Sequence, residues 1–375
     1  MIDYKKIKKA DIVIGIPSYN EENTIAFVVK QIDKGLIKYF PSKKAIIVNV
    51  DNNSSDKTAE NFLKTKTNFP KFYVSSDKGL KGKGYNFKNL FEIINKVSSP
   101  INLVFDADLK SITPEWIKKM AMPIIKGYDF VSPVYSRDKS EALLTKHLCY
   151  PLIYGLLGFN IYQPIAGDFS FSLNFVKKVI TQKWTKNVLR YGIDIFLTTS
   201  AIFGNFKICQ VGLGKKHHRI TSVKSLDTMF EEVIDVLFFQ LLKHKTFWKN
   251  AKIITPEIFN KKTIKPPQEF NGKNEFFNYK KELKKNLGKE NYRLMEKVYC
   301  FKDVNSIFNF WSQTVYNFIQ TYEKSSEKEK LLRILKTLAF RHFEFYLELV
   351  KNLTYKEVEK IISCQAVAFR NNRLK

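Results

Sequence analysis

The chain has 375 residues, 44% of them hydrophobic, enough for a large core and more than one domain. Its 63 basic and 36 acidic residues leave a net charge of +27, which favours anionic partners: phosphorylated small molecules, nucleic acid or an acidic membrane surface. Cys149, Cys209, Cys300 and Cys364 form no C-x-x-C pair and no uninterrupted apolar run approaches about 18 residues, which argues against a zinc knuckle, a disulfide framework and a membrane span.

The N-terminal stretch is charged before it enters a strand over Asp11–Ile16, so it does not read as a signal peptide. An amphipathic helix is predicted over Glu22–Lys34, a strand over Ala45–Val50 and a helix over Asp56–Lys66. A short strand over Phe72–Ser75, a helix over Tyr85–Val97 and a strand over Ile101–Phe105 follow. The next helix starts at Pro114, with Thr113 as N-cap. This alternation implies an α/β fold: a mainly parallel sheet with helices on both faces.

Tyr128–Pro133 reads as another strand, and Asp138–Phe159 as helical, interrupted near Pro151. The nearest approach to a membrane span, Leu148–Tyr162, is broken by Pro151, Gly155, Gly158 and Asn160; it reads first as a buried helix and second as a membrane-surface element. Phe169–Leu173, Asp194–Phe203 and Phe206–Val211 read as strand, helix and strand. A long helix is predicted over Ser222–Lys245. These readings divide the chain into an α/β domain over 1–245, a Lys- and Pro-rich connection over 246–273 and a helical region over 274–375. In the last, helical spacing recurs through Phe301–Tyr322, Glu329–Val350 and Tyr355–Phe369.

Four polar clusters fall beside predicted strand ends: P-S-Y-N-E-E from Pro17, D-N-N-S-S-D from Asp51, G-L-K-G-K-G from Gly79 and D-A-D at Asp106–Asp108. Each alone is explained by turn and capping chemistry. Four at one edge of one sheet are better explained as a nucleotide site, because ligands bind beyond the carboxyl ends of strands in open α/β sheets. The first two clusters, with Pro17, Tyr19, Glu21, Asp51 and Ser54, offer hydrogen-bonding groups for a base and ribose. Lys83, between Gly82 and Gly84, offers positive charge and close backbone approach to a pyrophosphate. Asp106 and Asp108 can hold a divalent cation against a phosphate-bearing ligand. No G-K-[ST] ends the glycine stretch, which excludes a P-loop, and no dinucleotide fingerprint follows the first strand.

Two later segments carry chemistry. Q-P-I-A-G-D ends at Asp168, and G-K-K-H-H-R places Lys216, His217 and His218 among cations after a strand. A neutral histidine there can complete the coordination of a metal held by Asp108. Asp194 starts a helix, where helix capping is its ordinary role.

In this order the motifs resemble GT-A glycosyltransferases that use nucleotide-sugars. Q-P-I-A-G-D, Y-G-I-D-I and V-G-L-G-K-K-H-H-R narrow the resemblance to the retaining glucosyl-3-phosphoglycerate and glucosylglycerate synthases (family 81 glycosyltransferases), over roughly Asp11 to Leu242. The resemblance implies a GT-A, Rossmann-like fold and Mg²⁺ or Mn²⁺ as cofactor. It implies that Tyr19 and Glu21 contact the base, that Ser54 and Lys83 complete the uridine and phosphate pocket, and that Asp106 faces the nucleotide. Asp108 and His218 are the implied metal ligands, His218 because it keeps the family's spacing from Gly214. Gly167 and Asp168 are implied to lie beside the donor sugar and acceptor, and Asp194 to orient sugar hydroxyls. Asp168 and Asp194 stand where the family usually has Glu, and Lys216 where it has Arg, so a bidentate grip on carboxylate or phosphate is lost. Asp168, Asp194 and Lys216 are the catalytic candidates.

The expected activity is a metal-dependent, retaining hexosyl transfer, glucose first, from a UDP- or GDP-sugar to a small acidic acceptor such as 3-phosphoglycerate or glycerate. The expected location is cytoplasmic; contact with the inner face of a membrane and a homodimer both stay open. One alternative is a GT-A enzyme with a lipid-phosphate or glycan acceptor at a membrane surface. Another is a basic nucleic-acid-binding protein, which explains the charge but not the strand-end clusters, and no RNA-recognition aromatic motif is present.

Overall fold

The computed structural model describes residues 8–217, 223–263, 279–300 and 303–373. In chain order these form β1 (Ile12–Ser18), α1 (Ile25–Tyr39), β2 (Ala45–Asp51), α2 (Thr58–Lys64), β3 (Lys71–Ser75), α3 (Lys83–Val97), β4 (Ile101–Val104), α4 (Pro114–Ile125) and β5 (Phe130–Ser136). Then come α5 (Tyr150–Leu152), β6 (Phe169–Ser172), α6 (Leu173–Ile180), α7 (Ile193–Phe203), β7 (Ile208–Lys215), α8 (Val223–Lys243), α9 (Lys245–Lys249) and β8 (Ile258–Phe259). The chain ends in α10 (Tyr279–Tyr299), α11 (Val304–Lys324), α12 (Lys328–Val350) and α13 (Tyr355–Asn371). Two compact units interleave: Met1–Ser136, Ile165–Ile220 and Pro256–Lys265 form one, and Arg137–Pro164, Thr221–Thr255 and Pro266–Lys375 form the other.

The first unit is built on an eight-stranded sheet in the order β3-β2-β1-β4-β6-β5-β7-β8. Every residue of β1, β2, β4 and β5 is buried, the pattern of strands covered on both faces. Two helix groups supply the cover: α1 packs with α4, and α3 with α6 and α7. Close approach is enforced by small residues. A Cβ on Gly15 would lie 2.2 Å from Leu90, and one on Gly35 2.5 Å from Ile117.

The topology sets the site. From β1 the chain moves out to β2 and β3, then returns to β4 on the other side of β1, which creates a switch point between β1 and β4. Pairing of β1 with β4 stops at Gly15–Val104, while β1 runs on to pair Ser18 with Asp51 of β2. The strands diverge there and open a crevice. β6 is antiparallel to β4 and β5, so its first residue, Phe169, pairs with Val104. That reversal brings Asp168 to the edge where β4 ends in D-A-D. β7, parallel to β5, delivers Lys215 to the same edge, after a register shift that leaves Leu213 as an extra residue between the Val134–Gly212 and Tyr135–Gly214 pairs.

The second unit is helical. Fully buried Phe230, Ile234, Leu237 and Leu241 set the apolar face of α8, which packs on α11 and α12. Its core includes Trp311, Tyr316 and Tyr346, and the His342 ring stacks on Trp311 at 4.7 Å and 11°. Among the described residues no helix is long and apolar enough to cross a membrane.

The compact units are discontinuous in sequence: α8 buries its apolar face in the helical unit, while β8 adds to β7 in the sheet unit. Some expectations need correction. The helix expected over Asp138–Phe159 is confined to wide π turns at Thr145–Cys149 and Ile153–Leu157 around the single turn of α5; Pro151, lacking an N–H, sits where the normal ladder cannot form. Thr113 has extended backbone but makes no side-chain cap bond. The expected strand over Phe169–Leu173 ends one residue earlier, at Ser172, whose hydroxyl caps α6, a helix the sequence pattern did not bring out.

Candidate functional site

At the β1 and β2 ends, the two polar clusters bind each other. Asp51 is fully buried and accepts from the Ser18 hydroxyl (2.7 Å), the Ser54 hydroxyl (2.6 Å) and amide (2.7 Å), and the Tyr73 phenol (2.9 Å). The Ser54 hydroxyl also accepts from the Asn20 amide (2.8 Å), and the Glu21 amide donates to Thr58 (2.7 Å). Pro17 is buried, whereas Tyr19 is 46% exposed on the rim. Asp51 is therefore the strut that shapes this corner, and Tyr19 is the side chain presented to solvent.

The glycine stretch is pinned from two sides. Asn52 donates to the Gly82 carbonyl (2.6 Å), and the Gly84 amide donates to the Arg190 carbonyl (3.1 Å). A Cβ at Gly82 would lie 2.4 Å from the Leu189 carbonyl, and one at Gly84 2.0 Å from that of Val188. These are backbone atoms, so the glycines are required for the fit. The packing sends Lys83 inward, where its ammonium sits 2.9 Å from Asp106 Oδ1, 3.4 Å from Asp194 Oδ1 and 3.4 Å from the Gly167 carbonyl.

The centre of the site is a ladder of ion pairs. Lys216 spends its three N–H donors on Asp168 Oδ2 (2.6 Å), the Ala166 carbonyl (2.9 Å) and Asp106 Oδ2 (3.1 Å). Asp168 is fully buried; its Oδ1 accepts the Asp106 amide (2.8 Å) and its Oδ2 accepts the Tyr135 phenol (2.6 Å). Gly167, at φ +87°, leaves room for this arrangement, since a Cβ there would lie 2.2 Å from Asp106 Oδ2. Asp106, Lys83 and Asp194 line the partly open side, with 22%, 19% and 12% of their side chains exposed.

The electrostatics follow. Burial pushes the Asp106 carboxyl up, but Lys83 and Lys216 outweigh it and hold the group well below the usual carboxylate range. Burial pulls Lys83 down, yet the Asp106 and Asp194 charges leave its pKa above the ordinary lysine value. Asp194 moves the other way: burial raises its pKa, Lys83 counters only in part, and Asp106 repels it. Its buried Oδ1 has no well-formed hydrogen bond among the described residues. Asp106, Asp168 and Asp194 thus share Lys83 and Lys216 at the crevice floor.

Asp108 lies half-buried beside this ladder. The loop that follows it is tied to the segment after β7, with the Lys110 amide donating to the His217 carbonyl (2.8 Å) and the His217 amide to Ser111 (2.9 Å). His218 lies outside the described residues. Among those described, no group of three or more His, Cys, Asp or Glu side chains converges to hold a metal. By the chemistry of its oxygens, a half-buried hard carboxylate such as Asp108 suits a divalent cation of the Mg²⁺ or Mn²⁺ kind.

The sheet edge thus gathers Lys83, Asp106, Gly167, Asp168, Asp194 and Lys216 around one crevice, with Pro17, Tyr19, Glu21, Asp51 and Ser54 in the neighbouring corner. Tyr135, Tyr73 and Asn52 were missed. Aromatic residues in apolar strands read as core, and Asn52 reads as a turn former; only the pairing of strands shows what their polar atoms meet.

Residues 13–185 match the model for glycosyl transferase family 2. The fold is GT-A. Solved structures of Mycobacterium tuberculosis glucosyl-3-phosphoglycerate synthase are similar to it. One, in complex with Mn²⁺, uridine diphosphate and glucosyl-3-phosphoglycerate, is 22% identical with a TM-score of 0.51, covering 64% of this chain and 84% of that one. Another, with Mn²⁺, UDP-glucose and phosphoglyceric acid, is 23% identical with a TM-score of 0.52, covering 62% and 79%. A third, with Mg²⁺ and uridine diphosphate, is 22% identical with a TM-score of 0.51, covering 64% and 84%. By sequence, no curated protein matches the chain.

Proposed function

We propose that this chain transfers a hexose, glucose first, from a UDP- or GDP-sugar to a small acidic acceptor such as 3-phosphoglycerate or glycerate, with retention at the anomeric carbon. The observation that carries the reading is the convergence of Lys83, Asp106, Gly167 and Asp194 on one crevice at the β1–β4 switch point. The similar synthase is solved with Mn²⁺, UDP-glucose and phosphoglyceric acid, which supports the donor, the cation and the acceptor class.

In this reading the β1 and β2 corner receives the nucleoside, with Tyr19 and Glu21 toward the base and Ser54, held by Asp51, toward the ribose. Lys83 meets the diphosphate and exchanges part of its contact with Asp106 for phosphate oxygen. Asp194, whose Oδ1 is met only by a long contact with Lys83, accepts a sugar hydroxyl. Asp108 and His218 would hold Mg²⁺ or Mn²⁺, which supplies neutralisation of the charge gathering on the departing diphosphate. Asp106 and Asp168 are each tied to lysine, which makes neither a ready covalent nucleophile. Attack by the acceptor hydroxyl on the face the diphosphate leaves fits that arrangement: the bond from C1 to the diphosphate oxygen breaks, the new C1–O bond forms, and a phosphate oxygen takes the proton.

Because Lys216 has all three donors committed, it works as a strut. Lys215, exposed one residue earlier, and Arg219, outside the described residues, are the neighbouring cations suited to an anionic acceptor.

The test is incubation with UDP- and GDP-hexoses and a panel of 3-phosphoglycerate, glycerate and lipid phosphate, read by mass spectrometry, with anomeric coupling of the product deciding retention. Asp108→Ala is expected to lower turnover about a hundredfold or more. Wild-type turnover and metal dependence in that variant would sink the reading.

A further inference from the structure

We propose that Tyr135 is a positioning residue of this site, acting through Asp168 on the D-A-D turn; the inference rests on the donor-site reading above. Tyr135 is the penultimate residue of β5 and is 3% exposed, and a phenol so deeply buried needs a partner for its hydroxyl. The partner is Asp168 Oδ2, at 2.6 Å. The extra residue in β7 sits directly before the Tyr135–Gly214 pair, so the register that aligns Tyr135 with the end of β7 is set at this point.

The ring itself is fixed. The Trp116 ring centroid lies 5.5 Å away, and the Lys216 ammonium lies 5.1 Å from the Tyr135 centroid. The phenol therefore has little freedom to turn from Asp168. The opposite oxygen of that carboxylate accepts the Asp106 amide at 2.8 Å. A single buried carboxylate thus joins the ends of β5 and β7 to the backbone of the turn that carries Asp106 and Asp108. Lys216 grips both Asp168 and Asp106, so its loss disturbs two carboxylates at once. The Tyr135 hydroxyl bonds Asp168, and removing it loosens that hold while leaving both lysines in place. Groups that orient the carriers of metal and phosphate ligands typically matter tenfold to a hundredfold in affinity or activity.

The experiment compares Tyr135→Phe with wild type as full chains. Tyr150→Phe serves as a control, since it removes another mostly buried hydroxyl, bonded to Asn160 at 3.0 Å in the helical unit. In ligand-free protein, amide hydrogen exchange over residues 101–112 is expected to quicken about tenfold in Tyr135→Phe and to stay unchanged in Tyr150→Phe. The dissociation constant for UDP in the presence of Mn²⁺, by calorimetry, is expected to rise about tenfold in Tyr135→Phe only. KM for the donor should rise by a similar factor while kcat changes less. Exchange over 101–112 that matches wild type, or that quickens equally across β2, overturns the role of Tyr135. A wild-type chain that binds no UDP with Mn²⁺ overturns the donor-site reading instead, while the exchange data still decide whether Tyr135 holds the turn.

Discussion

Both units bury ionisable side chains, and both hold some of them as ion pairs, Lys336 with Asp227 and Glu231 in the helical one, but one cluster in each differs in state. The sheet unit buries Lys83, Lys216, Asp106, Asp168 and Asp194 as ion pairs at an edge that keeps some solvent contact. The helical unit buries His147 and His342 around one amide: Gln365 Nε2 donates to the Lys146 carbonyl, so its Oε1 accepts from His147 Nδ1 (3.1 Å) and His342 Nε2 (2.7 Å). That sets each imidazole as a donor to Gln365, burial keeps both rings neutral, and His342 accepts the Tyr299 phenol on its other nitrogen (3.3 Å). Charge is expensive to bury, so a packed core neutralises it. Five ionisable groups kept as ion pairs at one sheet edge are the feature on which the donor-site proposal rests.

The largest expected effect tests the neutral half. Burial drives His342 down to about 3, and burial together with His342 depresses His147 well below 6.5. For such groups the unfolded chain binds more protons below the ordinary histidine value. The stability they contribute is complete above about 6.5 and is lost progressively as pH falls toward about 3. For His342 the whole window is worth of order 5 kcal/mol at about 1.4 kcal/mol per pKa unit. Urea unfolding followed from pH 7 to 4 should show the steep loss, and His342→Phe should flatten it. A profile of equal steepness in that variant breaks the contrast.

The next effect tests the charged half. Lys216→Met leaves fully buried Asp168 without its cation and deprives Asp106 of one of two. Removing one partner of a buried pair costs about 3–5 kcal/mol, so the variant should melt well below wild type. Adding Asp168→Asn should return part of the loss, because the uncompensated charge goes with it. If the double variant is no more stable than the single, the pair is not the unit proposed here.

This contrast also explains how far the sequence could be read. β1, β2 and β4 were legible because strands buried on both faces are continuous apolar runs, and D-A-D at the end of one marked the edge. The reversed direction of β6 was not, since Phe169-Ser170-Phe171-Ser172 carries no sign of which way its chain runs. Without that reversal the sequence could place Asp168 near the site but not under the turn. Tyr135 was hidden because Phe130-Val131-Ser132-Pro133-Val134-Tyr135 reads as core. In the helical region, α10 went unmarked: only Tyr279, Leu283, Met295 and Tyr299 are buried along it, and Gly288 at φ 77° interrupts their spacing. The interleaving of the units is a property of packing, with α8 grouped by its apolar face rather than by its neighbours in sequence.

The smallest effect on stability belongs to Asp194, and there the two halves separate most sharply. Its pKa is raised, chiefly by burial, and its buried Oδ1 is poorly satisfied. Burial therefore disfavours the charged form of this carboxyl in the folded state, and that form costs stability at pH values above the raised pKa. The cost is relieved as pH falls through that value. Asp194→Asn removes the charge while keeping the shape, so the melting temperature should stay level or rise slightly, within about 0.5 kcal/mol. Lys83 keeps Asp106 as its counter-charge in that variant, so no ammonium is stranded. Turnover with a UDP-hexose should nonetheless fall about a hundredfold, because an amide is a weaker acceptor than a carboxylate for a hydroxyl whose bond tightens in the transition state. A group that burdens the fold yet serves turnover is what a strained functional site predicts. Loss of stability with turnover intact would instead place Asp194 with the struts Asp51 and Asp168.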